Sequence, residues 1–328
     1  MASPTSSPSR LSVLDDRFGL VVSDGHGTLT IRSETTDVAI TSFVPQERSW
    51  TFLSRTVSPD GGSIAYWAPA LSGAALHVRL ASTGADRTVF AAAPDMSGNT
   101  FTWSSDGTGI VVAIDNGCQE ICAVQGGRPA QELWTVDLAS GASEKIGSGS
   151  YWLPVTWDRA AKRVAAGVTG PGGYLTGYDV IDLAQKPYAV RSTAFPFGTA
   201  GRLKASSDAR FILLSTGLGT TNAIAWWPLD APQKRAEVHT FDGTTAEWRP
   251  GTSEVWWSNG TELVAMDVVS GARTSLAGSF GGSIAGFRTD GSAAMTLLGG
   301  DHGSVIVVDL KTARTASLPA GGPFVRLR

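Results

Sequence analysis

The chain has 328 residues, 42% of them hydrophobic and only 17% charged, with a net charge of -3 and a pI near 5.8. No apolar run approaches the roughly 20 residues a membrane helix needs, and no basic footprint suits nucleic acid or anionic lipid, so neither direct membrane insertion nor nucleic-acid binding is expected. Thirty-nine glycines and short, interrupted amphipathic windows point to turn-rich β structure in a soluble globular chain.

Residues 1–10, MASPTSSPSR, form a Ser/Pro-rich linker without an apolar h-region. They read equally as a frayed terminus or as what remains after an upstream signal or anchor. From Leu11 to Ser42 the segment LDDRFGLVVSDGHGTLTIRSETTDVAITS reads as a first structural unit.

Six further units follow, each marked by one residue just before a Ser-x-Asp-Gly-like turn: Val57, Trp103, Trp157, Ala205, Trp248 and Phe287. Each marker is followed by an apolar return strand. A second signature then alternates apolar with polar residues, the period of a strand, and often ends in Asp-Leu-x-Ser/Thr-Gly. The best example runs from Phe101 to Ile146, FTWSSDGTGIVVAI, then a loop, then ELWTVDLASGASEKI. It predicts four antiparallel strands. Markers 39 to 54 residues apart make this a repeating supersecondary unit.

A sheet with two apolar faces needs a neighbour on each side, so the units are expected to stack face to face around an axis. Trp103, Trp157, Trp248 and Phe287 are expected to fill the seams. The expected fold is all-β, a seven-bladed β-propeller of four-stranded antiparallel blades over residues 11–328, with six or eight blades as alternatives. The ring is expected to close through the C-terminal strand, with Phe324 to Arg328 favoured over Leu11 to Leu14 for the innermost place.

Val57-Ser58-Pro59-Asp60-Gly61 followed by Ile64-Ala65-Tyr66, together with Leu133 to Gly141, resembles the TolB-type, WD40-like propeller repeat. Trp157-Asp158-Arg159-Ala160 and Trp248-Arg249-Pro250-Gly251 depart from it by lacking the turn aspartate. The resemblance implies a fold used for docking platforms, sensor domains and accessory domains of peptidases.

Cys118 and Cys122 lie in the longest loop, Asp115 to Gln131. Zinc would want four ligands and no His or further Cys stands near them in sequence, so a local disulfide is favoured over free thiols, implying an oxidising, extracytoplasmic compartment. The loop is a candidate partner-contact or pore-covering element, with a decoration without function as the favoured alternative. Stepping back one residue from each marker gives Thr56, Thr102, Thr156, Lys204, Glu247 and Gly286. A shared register would put them at one level of a polar, partly wet channel, read either as ordinary solvation of a central tunnel, which is favoured, or as a mouth that accepts a peptide or small ligand, with Lys204 and Glu247 able to pair.

Trp152 and Tyr174, with the pairs Trp226-Trp227 and Trp256-Trp257, are candidates for stacking on sugar. Adjacent aromatics on a strand must face opposite ways, however, which favours core packing. Asp24, His26, Asp301 and His302 fall in Gly-flanked turns of the first and last units and could hold a divalent metal, but such turns favour Asp and His for backbone reasons. No metal or cofactor is expected. His77 and His239 read as surface residues on strands.

Gly281-Gly282-Ser283-Ile284-Ala285 only approaches a nucleophile elbow and no helix follows it. Asn259-Gly260-Thr261 is a glycosylation sequon by letter. The function expected is a non-catalytic, extracytoplasmic domain that binds a protein or peptide or acts as a sensor. The alternatives are a carbohydrate-binding or polysaccharide-acting propeller and an accessory propeller of a larger peptidase.

Overall fold

A computed structural model of the chain describes residues 20–23, 28–32, 37–41, 57–70, 73–80, 83–91, 100–115, 131–148, 152–169, 175–199, 201–218, 221–231, 237–243, 245–288, 290–298, 304–319 and 324–326. Every regular element among them is a β-strand, and the strands form six four-stranded sheets and one three-stranded sheet, all antiparallel.

The first sheet holds β1 (Leu20–Ser23), β2 (Thr28–Arg32) and β3 (Asp37–Thr41), in the order β27-β1-β2-β3, where β27 is Phe324–Arg326. Leu20 to Val22 face Arg326 to Phe324 in antiparallel register, so the C-terminal segment occupies the edge beside β1. Leu11 to Leu14 lie outside the described residues. The second sheet has β4 (Ser63–Ala70), β5 (Gly73–Leu80) and β6 (Asp86–Ala91), with Val57 reduced to an isolated bridge to Ile64.

Each later sheet is a four-strand meander. The third runs β7 (Thr100–Trp103), β8 (Gly109–Asp115), β9 (Gln131–Asp137) and β10 (Ser143–Ser148), and the fourth β11 (Trp152–Asp158), β12 (Arg163–Thr169), β13 (Leu175–Asp182) and β14 (Ala189–Thr199). The fifth is β15 (Gly201–Ala205), β16 (Phe211–Leu218), β17 (Thr221–Pro228) and β18 (Glu237–Phe241). The sixth is β19 (Ala246–Trp248), β20 (Glu254–Ser258), β21 (Gly260–Asp267) and β22 (Arg273–Gly281), and the seventh β23 (Ser283–Phe287), β24 (Ala293–Leu298), β25 (Ser304–Asp309) and β26 (Thr315–Pro319).

The turn chemistry read from sequence has a direct cause. Ser104 Oγ donates to Asp106 Oδ1 at 2.6 Å while accepting from Gly109 N at 2.8 Å, and Asp106 Oδ1 also accepts from Thr108 N at 3.0 Å. Gly107, at φ 70°, takes the left-handed conformation that closes the turn. Ser58-Asp60 and Ser206-Asp208 repeat the hydroxyl–carboxylate pair. In the second turn, Asp137 Oδ1 accepts from both the backbone N–H and the hydroxyl of Ser140, at 2.8 and 2.7 Å. Asp267 with Ser270, and Asp309 with Thr312, do the same.

The core lies between sheets. Trp67, Leu76 and Phe90 meet Phe101, Trp103 and Ile110 across the seam of the second and third sheets. The other face of the third sheet, Val111, Ala113 and Leu133, meets Trp152, Trp157 and Val164 of the fourth. Adjacent tryptophans split between seams, as strand alternation requires. Trp227 packs toward the fourth sheet with Tyr178 and Leu203, Trp226 toward the sixth with Trp248 and Val255, and Trp257 joins that same seam while Trp256 packs with Ile284 and Phe287 of the seventh.

Candidate functional site

The inner edges of neighbouring sheets are tied by side-chain and backbone hydrogen bonds. Thr102 Oγ1 donates to the Val155 carbonyl at 3.3 Å, Ser105 N to the Trp157 carbonyl at 2.9 Å, and Thr245 Oγ1 to the Ile284 carbonyl at 3.0 Å. Lys204 on β15 and Glu247 on β19 form an ion pair, their side chains 19% and 16% exposed. The pairing expected from the shared register is therefore present.

The wet channel expected at that level is not what the threonines build. Thr102 and Thr156 are buried, 7% and 4% exposed, because the strands carrying them approach closely enough for direct hydrogen bonds between sheets. Lys204, Glu247 and Gly286 retain partial access to water. Thr56 lies outside the described residues.

Trp152 is not a free stacking platform. It is 4% exposed and packed in a seam, its indole N–H donates to Asp179 Oδ2 at 2.9 Å, and its backbone N–H donates to Gln131 Oε1 at 2.6 Å. Tyr174, Cys118, Cys122, Asp24, His26, Asp301 and His302 lie outside the described residues. Among the described residues no three His, Cys, Asp or Glu side chains gather closely enough to hold a metal ion, and no helix is long and apolar enough to cross a membrane. Ser283 opens β23 directly after β22, so strand follows strand there.

One polar cluster was not legible in the sequence. Tyr66 donates its hydroxyl to Asp86 Oδ2, His77 Nδ1 stands 2.9 Å from Asp86 Oδ1, and His77 Nε2 stands 3.3 Å from Thr88 Oγ1. The Tyr66 and His77 rings stack at 5.5 Å. Burial and the Asp86 carboxylate push the Tyr66 phenol well above its ordinary value, so it remains a donor. His77 is thus a ring engaged on three sides and only a quarter exposed, rather than a plain surface residue. His239 stacks on Trp226 with centroids 4.7 Å apart.

The turn aspartates are locked ionised. The backbone N–H and hydroxyl of Ser140, and the Arg159 guanidinium reaching over from the fourth sheet, hold the Asp137 carboxyl well below the usual carboxylate range. Ser253 and Ser270 bring Asp267 down to about 2.

No family model matches the chain, and no curated protein matches it in sequence. Solved structures do match it. The oligogalacturonate lyase of Vibrio parahaemolyticus is similar with a TM-score of 0.56 at 12% identity, over 96% of this chain and 92% of that one. A chain of the mitotic checkpoint complex is similar at 0.57 and 12%, over 97% and 87%, and tricorn protease at 0.54 and 12%, over 99% of this chain but 36% of that one. At such identities the likeness is one of fold alone. The fold is a β-propeller, as the repeats led one to expect.

Proposed function

We propose that residues 11–328 form a single seven-bladed propeller closed by β27, and that it serves outside the cytoplasm as a platform for a protein or peptide. For closure, the support is the pairing of β27 with β1 and the succession of inner strands β7, β11, β15, β19, β23 and β27, each beside the next. For function, the observation that carries the reading is the contrast between the two faces. On one, the turns into β8, β10, β22 and β26 are cinched by their own Asp, Ser and Thr side chains. At the other, β8 ends at Asp115 and β9 begins at Gln131, joined by residues 116–130, whereas only 71–72 and 219–220 join the equivalent strands of the second and fifth sheets.

A long connector on a rigid scaffold is where recognition usually resides. A Cys118–Cys122 disulfide would pin it and fits an oxidising compartment. Lys204 and Glu247 add a charged pair on the inner strands. The likeness to a chain of the mitotic checkpoint complex, an assembly, agrees with a protein partner.

The test is capture of proteins from an envelope extract by the immobilised wild-type chain, the Cys118→Ser/Cys122→Ser variant and the Lys204→Ala/Glu247→Ala variant. A specific protein held by wild type and weakened by the loop variant is expected. Capture no better than an unrelated propeller would overturn the reading, and two titratable thiols in the native protein without reductant would remove the disulfide. A second reading, a polysaccharide-acting propeller, is favoured by the nearly full-length likeness to oligogalacturonate lyase. Saturable binding of an oligogalacturonate, with no protein captured, would put it first.

A further inference from the structure

The structure assigns a nucleophile array to the second sheet: we propose that Thr88, His77, Asp86 and Tyr66 together accept an acyl group from an activated ester. The register builds it. Tyr66 of β4 stands opposite His77 of β5, and His77 opposite Thr88 of β6, so three side chains share one row across one face. Asp86 lies two residues before Thr88 and therefore on the same face, diagonal to His77. Between Leu76–Phe90 and His77–Thr88 the register slips by one residue, a bulge of the kind that re-aims side chains.

The proton inventory follows from which groups can donate. An ionised Asp86 only accepts, so the 2.9 Å contact puts the proton on His77 Nδ1 and leaves the Nε2 lone pair facing Thr88 Oγ1. Tyr66 fixes the other oxygen of Asp86 and stacks on the imidazole, leaving the carboxylate two donors that hold its orientation. Access differs across the cluster: Tyr66 is buried, the side chains of His77 and Asp86 are about a quarter exposed, and Thr88 is exposed. A buried Tyr66 steadying Asp86, with His77 between that carboxylate and a solvent-facing hydroxyl, gives the nucleophile–base–orienter order of acyl-transfer sites.

In the step, Thr88 Oγ1 bonds to the ester carbonyl carbon as its proton passes to His77 Nε2. The adduct collapses, the carbon–oxygen bond to the leaving alcohol breaks, and that alcohol takes the proton from Nε2. Water then attacks the acyl-Thr88 ester with the same base, releasing the carboxylic acid and restoring the hydroxyl. Nothing is oxidised or reduced.

The probes are p-nitrophenyl acetate and a fluorophosphonate, used on the full chain. Wild type is expected to hydrolyse the ester at least about tenfold faster than His77→Ala or Thr88→Val, with Thr88→Ser retaining the rate, Asp86→Asn losing most of it and His239→Ala unchanged. The fluorophosphonate adduct is expected on the peptide bearing Thr88. Circular dichroism and thermal midpoints identify variants that have merely unfolded, and Thr88→Ser keeps the test decisive if Thr88→Val does so. No adduct on Thr88, or a Thr88→Val rate equal to wild type while His77→Ala loses it, would overturn the assignment, the latter by showing an imidazole acting alone. Partner capture does not use these residues, so this proposal and the platform reading fail separately.

Discussion

Lys204 and Glu247, on the innermost strands of the fifth and sixth sheets, are joined by an ion pair that leaves each side chain less than a fifth exposed. Removing one partner strands the other charge in a poorly hydrated seam. Lys204→Met alone, or Glu247→Leu alone, is expected to cost about 1–3 kcal/mol. The double substitution should cost less than either single one, because neither desolvated charge remains. Urea unfolding of the four proteins gives the coupling, and strictly additive losses would show that the pair contributes only surface electrostatics.

Acid stability should depend on the turn aspartates. The folded-state carboxyls of Asp137 and Asp267 are both depressed, the first by Ser140 and Arg159, the second by Ser253 and Ser270 to about 2. Each contributes stability that is present above the unfolded-state value of roughly 3.9 and is lost as pH falls toward the folded one. Asp267→Asn cannot titrate, so its urea midpoint is expected to fall less steeply than that of wild type between about pH 4 and pH 2. Parallel declines in the two proteins would contradict the assignment.

The turns and seams were legible because both are local consequences of residue order. Ser104-Ser105-Asp106-Gly107 encodes its own hydrogen bonds, and Trp226-Trp227 must divide between two faces of one strand. Lys204 and Glu247 could be paired from register alone. Thr102 and Thr156 could not be placed as buried, because that depends on how closely β7 and β11 converge, and alternation along one strand carries no information about the sheet beside it. The row of Tyr66, His77 and Thr88 was hidden for a related reason: its alignment passes through a one-residue slip between β5 and β6. Trp152 looked available only because its partners Gln131 and Asp179 are more than twenty residues away in each direction.

Gly109 is glycine because of Trp157. A Cβ there would lie 2.4 Å from the indole Cζ3 and 3.1 Å from the Val136 carbonyl oxygen, while the corresponding positions of other sheets carry Ser63, Arg163 and Phe211. Gly109→Ala is expected to destabilise by about 1–3 kcal/mol through overpacking. The same substitution in a Trp157→Leu background should cost distinctly less. Equal costs in both backgrounds, measured by thermal or urea unfolding, would remove the indole as the cause.

Ala313 isolates the backbone side of the turn. It adopts φ 58° where the equivalent Gly141 and Gly271 adopt 72° and 73°, and the Asp309–Thr312 hydrogen bonds hold it there. The left-handed conformation costs an L-residue roughly 1–2 kcal/mol, and replacing it with glycine returns about 0.4–1 kcal/mol of that through the looser unfolded chain. The difference favours glycine, so Ala313→Gly should raise stability by about 0.5–1 kcal/mol. Gly141→Ala should lower it similarly, since nothing lies within 4 Å of the added Cβ and only the dihedral is strained. A loss on Ala313→Gly in urea unfolding would mean that chain entropy outweighs dihedral strain at this turn.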